Sequence, residues 1–223
     1  MAQGIGFPST IVEPPYWREA CVALSESDPV MARLIERFKG RALKGGYEPF
    51  KMLVRFIIEQ QISLKTADKV WERFVKACPE MTPLLVSRKH RRTLRSVGLS
   101  ERKIDCIWDI CRFFIEEEQQ MVDYDRLDDQ EIVKRLMSIK GVDEWMAQMF
   151  LIFVLHRPNV LPLSDTRLIK AIENEYFDSE MFNGMEISER RRKLDQITTC
   201  WNPWRTVATW YMWQSFEANT VSY

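Results

Sequence analysis

The sequence lacks the residue groups that usually mark a metal centre or a histidine-dependent catalyst. It contains only two histidines, His90 and His156, and its five cysteines include no Cys-x-x-Cys pair. The cysteines stand at irregular spacing, at Cys21, Cys78, Cys106, Cys111 and Cys200. This odd, scattered set is typical of reduced core thiols in an intracellular protein, and it favours that interpretation over a disulfide framework or a metal site.

Long apolar runs and targeting signals are also missing. The longest apolar run, near residues 149–155, is far shorter than the roughly 20 residues needed to span a bilayer. The N-terminus has neither the basic start nor the apolar core of a signal peptide. We therefore expect a soluble, intracellular protein that does not contact a membrane.

The chain has no net charge, because 32 lysines and arginines balance 32 acidic residues. A nucleic-acid-binding protein with this balance would need its cations sorted onto one face. The densest basic segment runs from Arg88 to Lys103 and contains no acid between residues 84 and 100. A solvated charged face and a phosphate-facing patch are both compatible with this segment.

Strand patterns are absent as well, since no stretch alternates β-branched and polar residues. The chain instead carries a series of helix starts, formed by capping residues and by prolines suited to a first turn. These starts are Asp28 followed by Pro29, then Pro49, Ser63, Ser100, and Asp128 paired with Glu131. Residues 1–22 include Pro8, Pro14 and Pro15, and they are predicted to form an extended arm. The predicted fold class is all-α.

The rest of the chain is organised around residues 136–170. Gly141 interrupts a helical pattern, and an apolar helix follows from Trp145. A loop bounded by two prolines then leads to Asp165. A turn between two helices exposes backbone N–H groups that can bind a phosphate. Asp165 is either an acid held at a site or the N-cap of the next helix.

Five segments resemble one known family when they are taken in order. LMSIKGVDEWMAQMF is similar to the helix–hairpin–helix of a DNA glycosylase superfamily, and LPLSDTRLIK is similar to its Pro-rich loop with an aspartate. IIEQQISLKTADKV and LRSVGLSERKIDCI resemble its helix–QQxS–helix junction and its Gly-Leu-Ser-x-x-Lys turn. WNPWRTVATWYMW resembles the closing helix of the alkylpurine branch, the 3-methyladenine DNA glycosylase II type. The resemblance covers residues from about 28 to 216.

The resemblance implies an all-α fold with two helical lobes and a cleft between them. One lobe would comprise residues of about 47–140, and the other residues 23–46 together with 141–223. It also implies a monomer, placed in the cytoplasm or nucleoid of a bacterium or archaeon or in the nucleus of a eukaryote. The four-cysteine cluster of the iron–sulfur branch is absent, so no cofactor is expected.

The implied activity is hydrolysis of the N-glycosidic bond of alkylated purines, such as 3-methyladenine and 7-methylguanine, in double-stranded DNA. The damaged base would be flipped out of the duplex, and its removal would initiate base excision repair. One alternative is a glycosylase for another damaged base, deaminated or oxidised. A second alternative is a non-catalytic helix–hairpin–helix DNA-binding protein, which the zero net charge favours.

The resemblance assigns a role to each site residue. Asp165 would be catalytic, and Trp145, Trp213 and Met149 would line the base pocket. Gln61 would be the wedge that fills the space left by the flipped base, with Gln60 and Ser63 supporting its turn. Gly141, Val142, Asp143 and Glu144 would anchor a phosphate, with a monovalent cation at the hairpin carbonyls and no other metal. Trp145 stands where strand-cleaving relatives carry a lysine, and because a tryptophan cannot form an imine, no lyase step is expected.

The hairpin departs from the family pattern at one position. Gly141-Val142-Asp143 stands where Gly-hydrophobic-Gly is usual. A second glycine normally permits a positive φ or a close approach to phosphate. Aspartate tolerates the left-handed region better than most residues, but its charge repels a phosphate. We therefore expect weaker non-specific binding to DNA.

Overall fold

A computed structural model describes residues 13–177 and 185–220 of the chain. Within these ranges the chain forms twelve α-helices and one 3₁₀ turn, and Gly45 is the only residue in a β-bridge. The helices are α1 (Trp17–Ser27), α2 (Pro29–Arg37), α3 (Pro49–Glu59), α4 (Leu64–Ala77), α5 (Pro83–Ser87), α6 (Arg91–Ser96), α7 (Glu101–Gln119), α8 (Asp129–Met137), α9 (Glu144–Phe153), α10 (Thr166–Tyr176), α11 (Ile187–Thr199) and α12 (Arg205–Thr220), with the 3₁₀ turn at Tyr124–Arg126. The all-α prediction is confirmed.

The helix starts follow the local signals in the sequence. Asp28 accepts hydrogen bonds from the N–H groups of Val30 and Met31, and Pro29 occupies the first position of α2. Ser63, Ser100 and Asp128 each accept a backbone N–H in the first turn of the helix that follows. These contacts satisfy donors that have no partner within the helix, so the caps predicted at these four residues are confirmed.

The predicted N-terminal arm is wrong for residues 17–22, which belong to α1. Trp17, Ala20 and Leu24 lie on one face of that helix and are almost completely buried. This burial stabilises a helix that begins directly after the prolines at 14 and 15, where proline causes no clash. The remainder of the predicted arm, residues 1–12, lies outside the described residues.

The chain divides into two compact units. Gly46–Phe150 belongs to the first unit, in which α7 packs against α3, α5 and α6. Ile11–Gly45 and Leu151–Tyr223 form the second, in which α12 packs against α1, α2 and α10. The sequence prediction placed the division at residue 140, whereas the structure places it inside α9. The hairpin therefore belongs to the same unit as the α3–α4 turn, and a hydrogen bond from Gln60 to the Gly141 carbonyl joins the two.

A buried polar cluster ties the second unit together around Asp28. Its Oδ2 atom accepts hydrogen bonds from the Tyr176 hydroxyl and from Nε1 of Trp201, the latter at 3.1 Å. The thiol of Cys200, an exposed residue, lies 3.6 Å from the same oxygen. Burial, together with the neighbouring Asp28 carboxylate, raises the pKa of Tyr176, so its hydroxyl stays protonated and donates.

No helix in the described part of the chain is both long and apolar enough to cross a membrane.

Candidate functional site

The hairpin between α8 and α9 requires glycine at position 141. Gly141 has a φ of +87°, and a Cβ built there would lie 2.6 Å from the Sγ atom of Cys106 on α7. The turn is closed by a hydrogen bond from the Val142 N–H to the Ile139 carbonyl, at 3.1 Å. The N–H of Lys140 donates to Oδ2 of Asp109, also on α7, at 2.7 Å. The hairpin thus packs closely against α7 and is hydrogen-bonded to it.

Asp143 acts as a cap for α9. Its Oδ1 atom accepts a hydrogen bond from the Met146 N–H at 2.9 Å. Asp143 is not among the described non-glycine residues with positive φ, which are Gln61, Met121 and His156. The conformational freedom of a second glycine is therefore not needed here. The exposed carboxylate instead lies at a helix N-terminus, where an anion would otherwise bind.

The backbone groups of the predicted phosphate anchor differ in whether they already have a hydrogen-bond partner. The Val142 N–H is used within the turn, whereas those of Asp143 and Glu144 have no acceptor among the described residues. The Gly141 carbonyl accepts from the side chain of Gln60 at 3.0 Å. Two hairpin carbonyls, those of Ile139 and Gly141, thus already have a hydrogen-bond donor.

The α3–α4 turn (residues 60–63) gives its two glutamines different environments. Gln60 ends α3 and points into the unit, where its Nε2 atom donates to the Gly141 carbonyl and approaches Met146 Sδ at 3.4 Å. Gln61 has a φ of +59° and is exposed. Ser63 is exposed and caps α4. Only Gln61 therefore presents its amide to the surroundings.

Trp145 and Met149 lie one turn apart on α9, within the first unit. Trp145 is half-buried, and its ring centroid lies 5.6 Å from that of Phe56 on α3, at an angle of 55°. The side chain of Met149 is buried, with only 2% of its surface exposed to solvent. Trp145 is thus the more accessible of these two predicted pocket residues.

Asp165 and Trp213 belong to the second unit. Asp165 is 5% exposed and caps α10, since its Oδ1 atom accepts the N–H groups of Arg167 and Leu168 at 2.8 and 3.4 Å. Its Oδ2 atom also lies 3.2 Å from Nη2 of Arg167. The capping alternative raised by the sequence is confirmed. The carboxylate also pairs with the guanidinium of Arg167, a contact that was not predicted from the sequence. The only sequence signal for this pairing is that Arg167 stands two residues after Asp165.

Trp213 is held by aromatic stacking. Its ring is nearly parallel to that of Phe153, with centroids 6.0 Å apart and an interplanar angle of 8°. Trp213 is 8% exposed, and its buried indole N–H has no acceptor among the described residues. A buried donor without an acceptor is uncommon in folded proteins and is costly to leave unpaired.

The basic segment 88–103 does not form a uniform phosphate-facing patch. Arg91 pairs with Glu101 and Asp105, at 2.5 and 2.8 Å, and Arg95 also pairs with Glu101. Lys103 donates to two backbone carbonyls at the end of α3. These three cations are therefore engaged within the fold, which neither interpretation from the sequence anticipated. Among the described residues, no three histidine, cysteine or acidic side chains are grouped so that they could bind a metal.

An all-α fold with a glycine hairpin, a glutamine turn and a capped buried aspartate defines a helix–hairpin–helix protein. The family described as HhH-GPD superfamily base excision DNA repair protein matches residues 54–195. This chain belongs to that superfamily.

Several curated proteins are similar in sequence over most of this chain. DNA-3-methyladenine glycosylase 1 of Schizosaccharomyces pombe is 28% identical over 201 residues, covering 86% of this chain and 83% of its own. YfjP of Bacillus subtilis, provisionally named a DNA-3-methyladenine glycosylase, is 27% identical over 197 residues. That match covers 84% of this chain but 66% of YfjP, so the chain spans about two thirds of that relative.

Two solved structures are also similar. A DNA-3-methyladenine glycosidase from Bacillus halodurans has a TM-score of 0.75 and 27% identity, with 96% of this chain and 94% of that chain covered. The S. pombe 3-methyladenine DNA glycosylase Mag1, solved in complex with abasic DNA, has a TM-score of 0.68 and 27% identity. That match covers 88% of this chain and 95% of Mag1.

Proposed function

We propose that this chain is a monofunctional DNA glycosylase that hydrolyses the N-glycosidic bond of alkylated purines in duplex DNA. The substrates are bases of the 3-methyladenine and 7-methylguanine type, which the enzyme flips out of the helix. The observation that carries the proposal is the buried carboxylate of Asp165 at the start of α10, in a chain of the HhH-GPD superfamily. The names of the relatives above support the substrate class.

The chemistry requires a negative charge near the sugar. Cleavage of the glycosidic bond builds positive charge on the sugar ring, as in other glycoside hydrolysis. The Asp165 carboxylate stabilises that charge and orients or deprotonates the attacking water. Its two backbone donors and Arg167 fix its direction. An alkylated purine leaves as an already cationic ring, so no general acid is needed on the leaving group.

The aromatic residues supply recognition. Electron-poor, cationic purines are attracted to the faces of aromatic rings. Trp145 is half-buried and Trp213 is stacked on Phe153, so each ring is already oriented before a base arrives. Met149, one turn from Trp145 on α9, adds an apolar side chain to recognition. Gln61 fills the space that the flipped base leaves, and the N–H groups of Asp143 and Glu144 contact a phosphate, with a monovalent cation at neighbouring carbonyls.

Release of free base tests the proposal directly. The purified chain is incubated with duplex DNA that contains N3-methyladenine or N7-methylguanine, and the released base is quantified. We expect release of both bases by the wild-type protein. No release from any alkylated duplex would contradict the proposed function, and release restricted to deaminated or oxidised bases would assign a different substrate class.

Asp165→Asn tests the catalytic assignment. Asparagine is as good an N-cap as aspartate, so the fold is expected to persist. We expect base release to fall at least about 100-fold, the usual consequence of losing one group that stabilises transition-state charge, while affinity for abasic DNA is kept. Asp195→Asn, which removes an exposed carboxylate from α11, is the matched control. Unchanged turnover in Asp165→Asn would remove the residue from the mechanism.

Borohydride trapping tests the absence of a lyase step. An imine between an enzyme lysine and the abasic sugar is reduced to a stable adduct, whereas a hydrolytic enzyme leaves none. We expect the wild-type protein to release base and leave no protein–DNA adduct. A borohydride-dependent adduct formed at the rate of base release would contradict the monofunctional assignment.

A further inference from the structure

We propose that Lys103 is a positioning residue that holds the α3–α4 turn in place and acts through Gln60 on the exposed side chain of Gln61. This inference rests on the proposed function, because it assigns the support of the side chain that fills the duplex. All the residues involved lie within the first unit. None of them needs to touch the reacting atoms.

The ammonium group of Lys103 lies at the C-terminal end of α3. Its Nζ atom donates to the carbonyls of Ile58 and Gln60, at 2.8 Å each. The last carbonyls of a helix have no partner within it, and they carry the negative end of the helix dipole. A cation there both satisfies these acceptors and interacts favourably with the dipole. Partial burial lowers the pKa of Lys103, consistent with an ammonium group drawn inward from solvent.

Gln60 is held at two points that come from distant parts of the chain. Its carbonyl is fixed by Lys103 on α7, and its side-chain amide donates to Gly141 of the hairpin at 3.0 Å. The turn is therefore connected on one side to α7 and on the other to the candidate phosphate anchor. A change in either contact is transmitted directly to the residue that follows Gln60.

That following residue adopts an unfavourable backbone conformation. Gln61 has a φ of +59°, a region that non-glycine residues occupy only when the surrounding structure imposes it. Within the turn itself, the Ile62 N–H contributes only a long hydrogen bond to Glu59, at 3.4 Å. The bond from Lys103 to the Gln60 carbonyl is shorter, at 2.8 Å, and it fixes the carbonyl immediately before Gln61. Without it, Gln61 is expected to relax and its amide to lose its fixed direction.

The helices on either side of the turn are joined independently of Lys103. Arg55 on α3 pairs with Glu59 and with Asp68 on α4, at 2.5 Å in both cases, and its guanidinium lies over the ring of Trp71. Loss of Lys103 therefore leaves the packing of α3 against α4 in place. The effect of losing Lys103 is therefore confined to the turn, so its positioning role can be tested separately from folding.

The first test compares excision from paired and unpaired damage. Lys103→Met keeps the aliphatic stem and removes both donors, whereas Lys103→Arg keeps donors. We expect Lys103→Met to reduce single-turnover release of N7-methylguanine paired with cytosine about tenfold, since two bonds from a charged donor are lost. Release from the same base opposite an abasic analogue should change less than about twofold, because the base is already unpaired. Lys103→Arg should restore most of the paired rate.

Lys134→Met, which removes an exposed cation from α8, controls for charge alone. A second comparison asks whether Lys103 acts through Gln61. In the Gln61→Ala background, adding Lys103→Met should cause little further loss, because residues that act as a unit are not additive. An equal loss in both backgrounds, or equal losses on paired and unpaired substrates, would overturn the proposal.

A binding measurement separates this inference from the proposed function. A 2-aminopurine placed opposite an abasic-site analogue reports insertion of a side chain into the duplex and requires no catalysis. We expect the wild-type protein to change its fluorescence at saturating protein, and Lys103→Met to reduce that change while Lys103→Arg preserves it. The same fluorescence change in wild type and Lys103→Met would overturn the inference even if base release is observed.

Discussion

The Oδ1 atom of Asp143 lies 2.9 Å from the backbone nitrogen of Met146, so the residue that replaces the second hairpin glycine caps the helix after it. The cap stabilises α9, but it also places a carboxylate beside the N–H groups proposed to contact phosphate. We therefore expect this exchange of glycine for aspartate to weaken DNA binding while it stabilises α9. The exchange is measurable because asparagine provides the cap without the charge.

Asp143→Asn is expected to tighten binding to undamaged duplex about two- to fivefold at low salt. One charge at a helix terminus contributes about 0.3–1 kcal/mol, and its removal relieves repulsion of the phosphate. Fluorescence anisotropy titrations at two salt concentrations measure the effect, which should shrink as salt rises. Asp125→Asn removes an exposed charge elsewhere in the same unit and should change affinity less. Equal or weaker binding by Asp143→Asn would contradict the expected repulsion.

Asp28→Asn is expected to destabilise the protein by about 2–3 kcal/mol. The two carboxylate oxygens accept from helix N–H groups, from the Tyr176 hydroxyl and from the Trp201 indole. An asparagine that keeps the cap turns its NH₂ towards the indole N–H, and two buried donors then face each other. Urea unfolding measures the loss.

Asp128→Asn is the control for the Asp28 experiment. Asp128 is also a helix cap, but it is exposed and accepts no buried donor in the described contacts. Its replacement should cost less than about 0.5 kcal/mol, because asparagine and aspartate cap equally well. Similar losses for the two variants would show that capping, and not the buried cluster, accounts for the effect.

Gly45→Ala is expected to destabilise the second unit by about 1–3 kcal/mol, the usual cost of overpacking. A Cβ at this position would lie 1.7 Å from Nε2 of His156. His156→Gly removes the ring and suits the φ of +53° at that position. In the His156→Gly background, Gly45→Ala should therefore cost much less. Urea unfolding of the four proteins measures this coupling, and equal costs in both backgrounds would exclude the clash as the cause.

Stability should also depend on His156 below neutral pH. Burial lowers the pKa of His156 in the folded protein. As pH falls below about 6.5, the unfolded chain takes up a proton that the folded chain resists, so the free energy of unfolding decreases. His156→Asn tolerates the same backbone region and removes this dependence. The stability of wild type relative to His156→Asn should thus fall between about pH 7 and pH 5, with His90→Asn as the matched control. A constant difference would contradict the assignment.

Four helix starts could be predicted from sequence, because each depends on a contact within four residues. Asp28, Ser63, Ser100 and Asp128 all cap the helices that follow them. The start of α1 could not be predicted in this way, because it depends on the burial of Trp17 and Leu24 and not on a local cap. Local signals thus located these four helices, and tertiary burial decided the start of α1.

The candidate site could be proposed from the sequence as a set of positions, but its contacts could not. The motifs located Gln60, Gln61 and Asp165, and the chain carries them at a helix junction and at a helix start. The bond from Gln60 to Gly141 joins residues 81 positions apart, and that from Lys103 to Gln60 spans 43. No periodicity or cap signal encodes such pairings, because they arise only when the helices pack.

The position of Asp165 has a consequence for how sequences of this kind are interpreted. Its carboxylate caps the first turn of α10, and loss of such a cap costs about 1 kcal/mol whether or not the protein is catalytically active. A descendant that had stopped excising bases would still gain stability from an aspartate or asparagine here. An aspartate or asparagine at this position therefore indicates only that α10 is capped. An active descendant is recognised when the position is always aspartate, never asparagine, and when Trp145 and Trp213 are both kept.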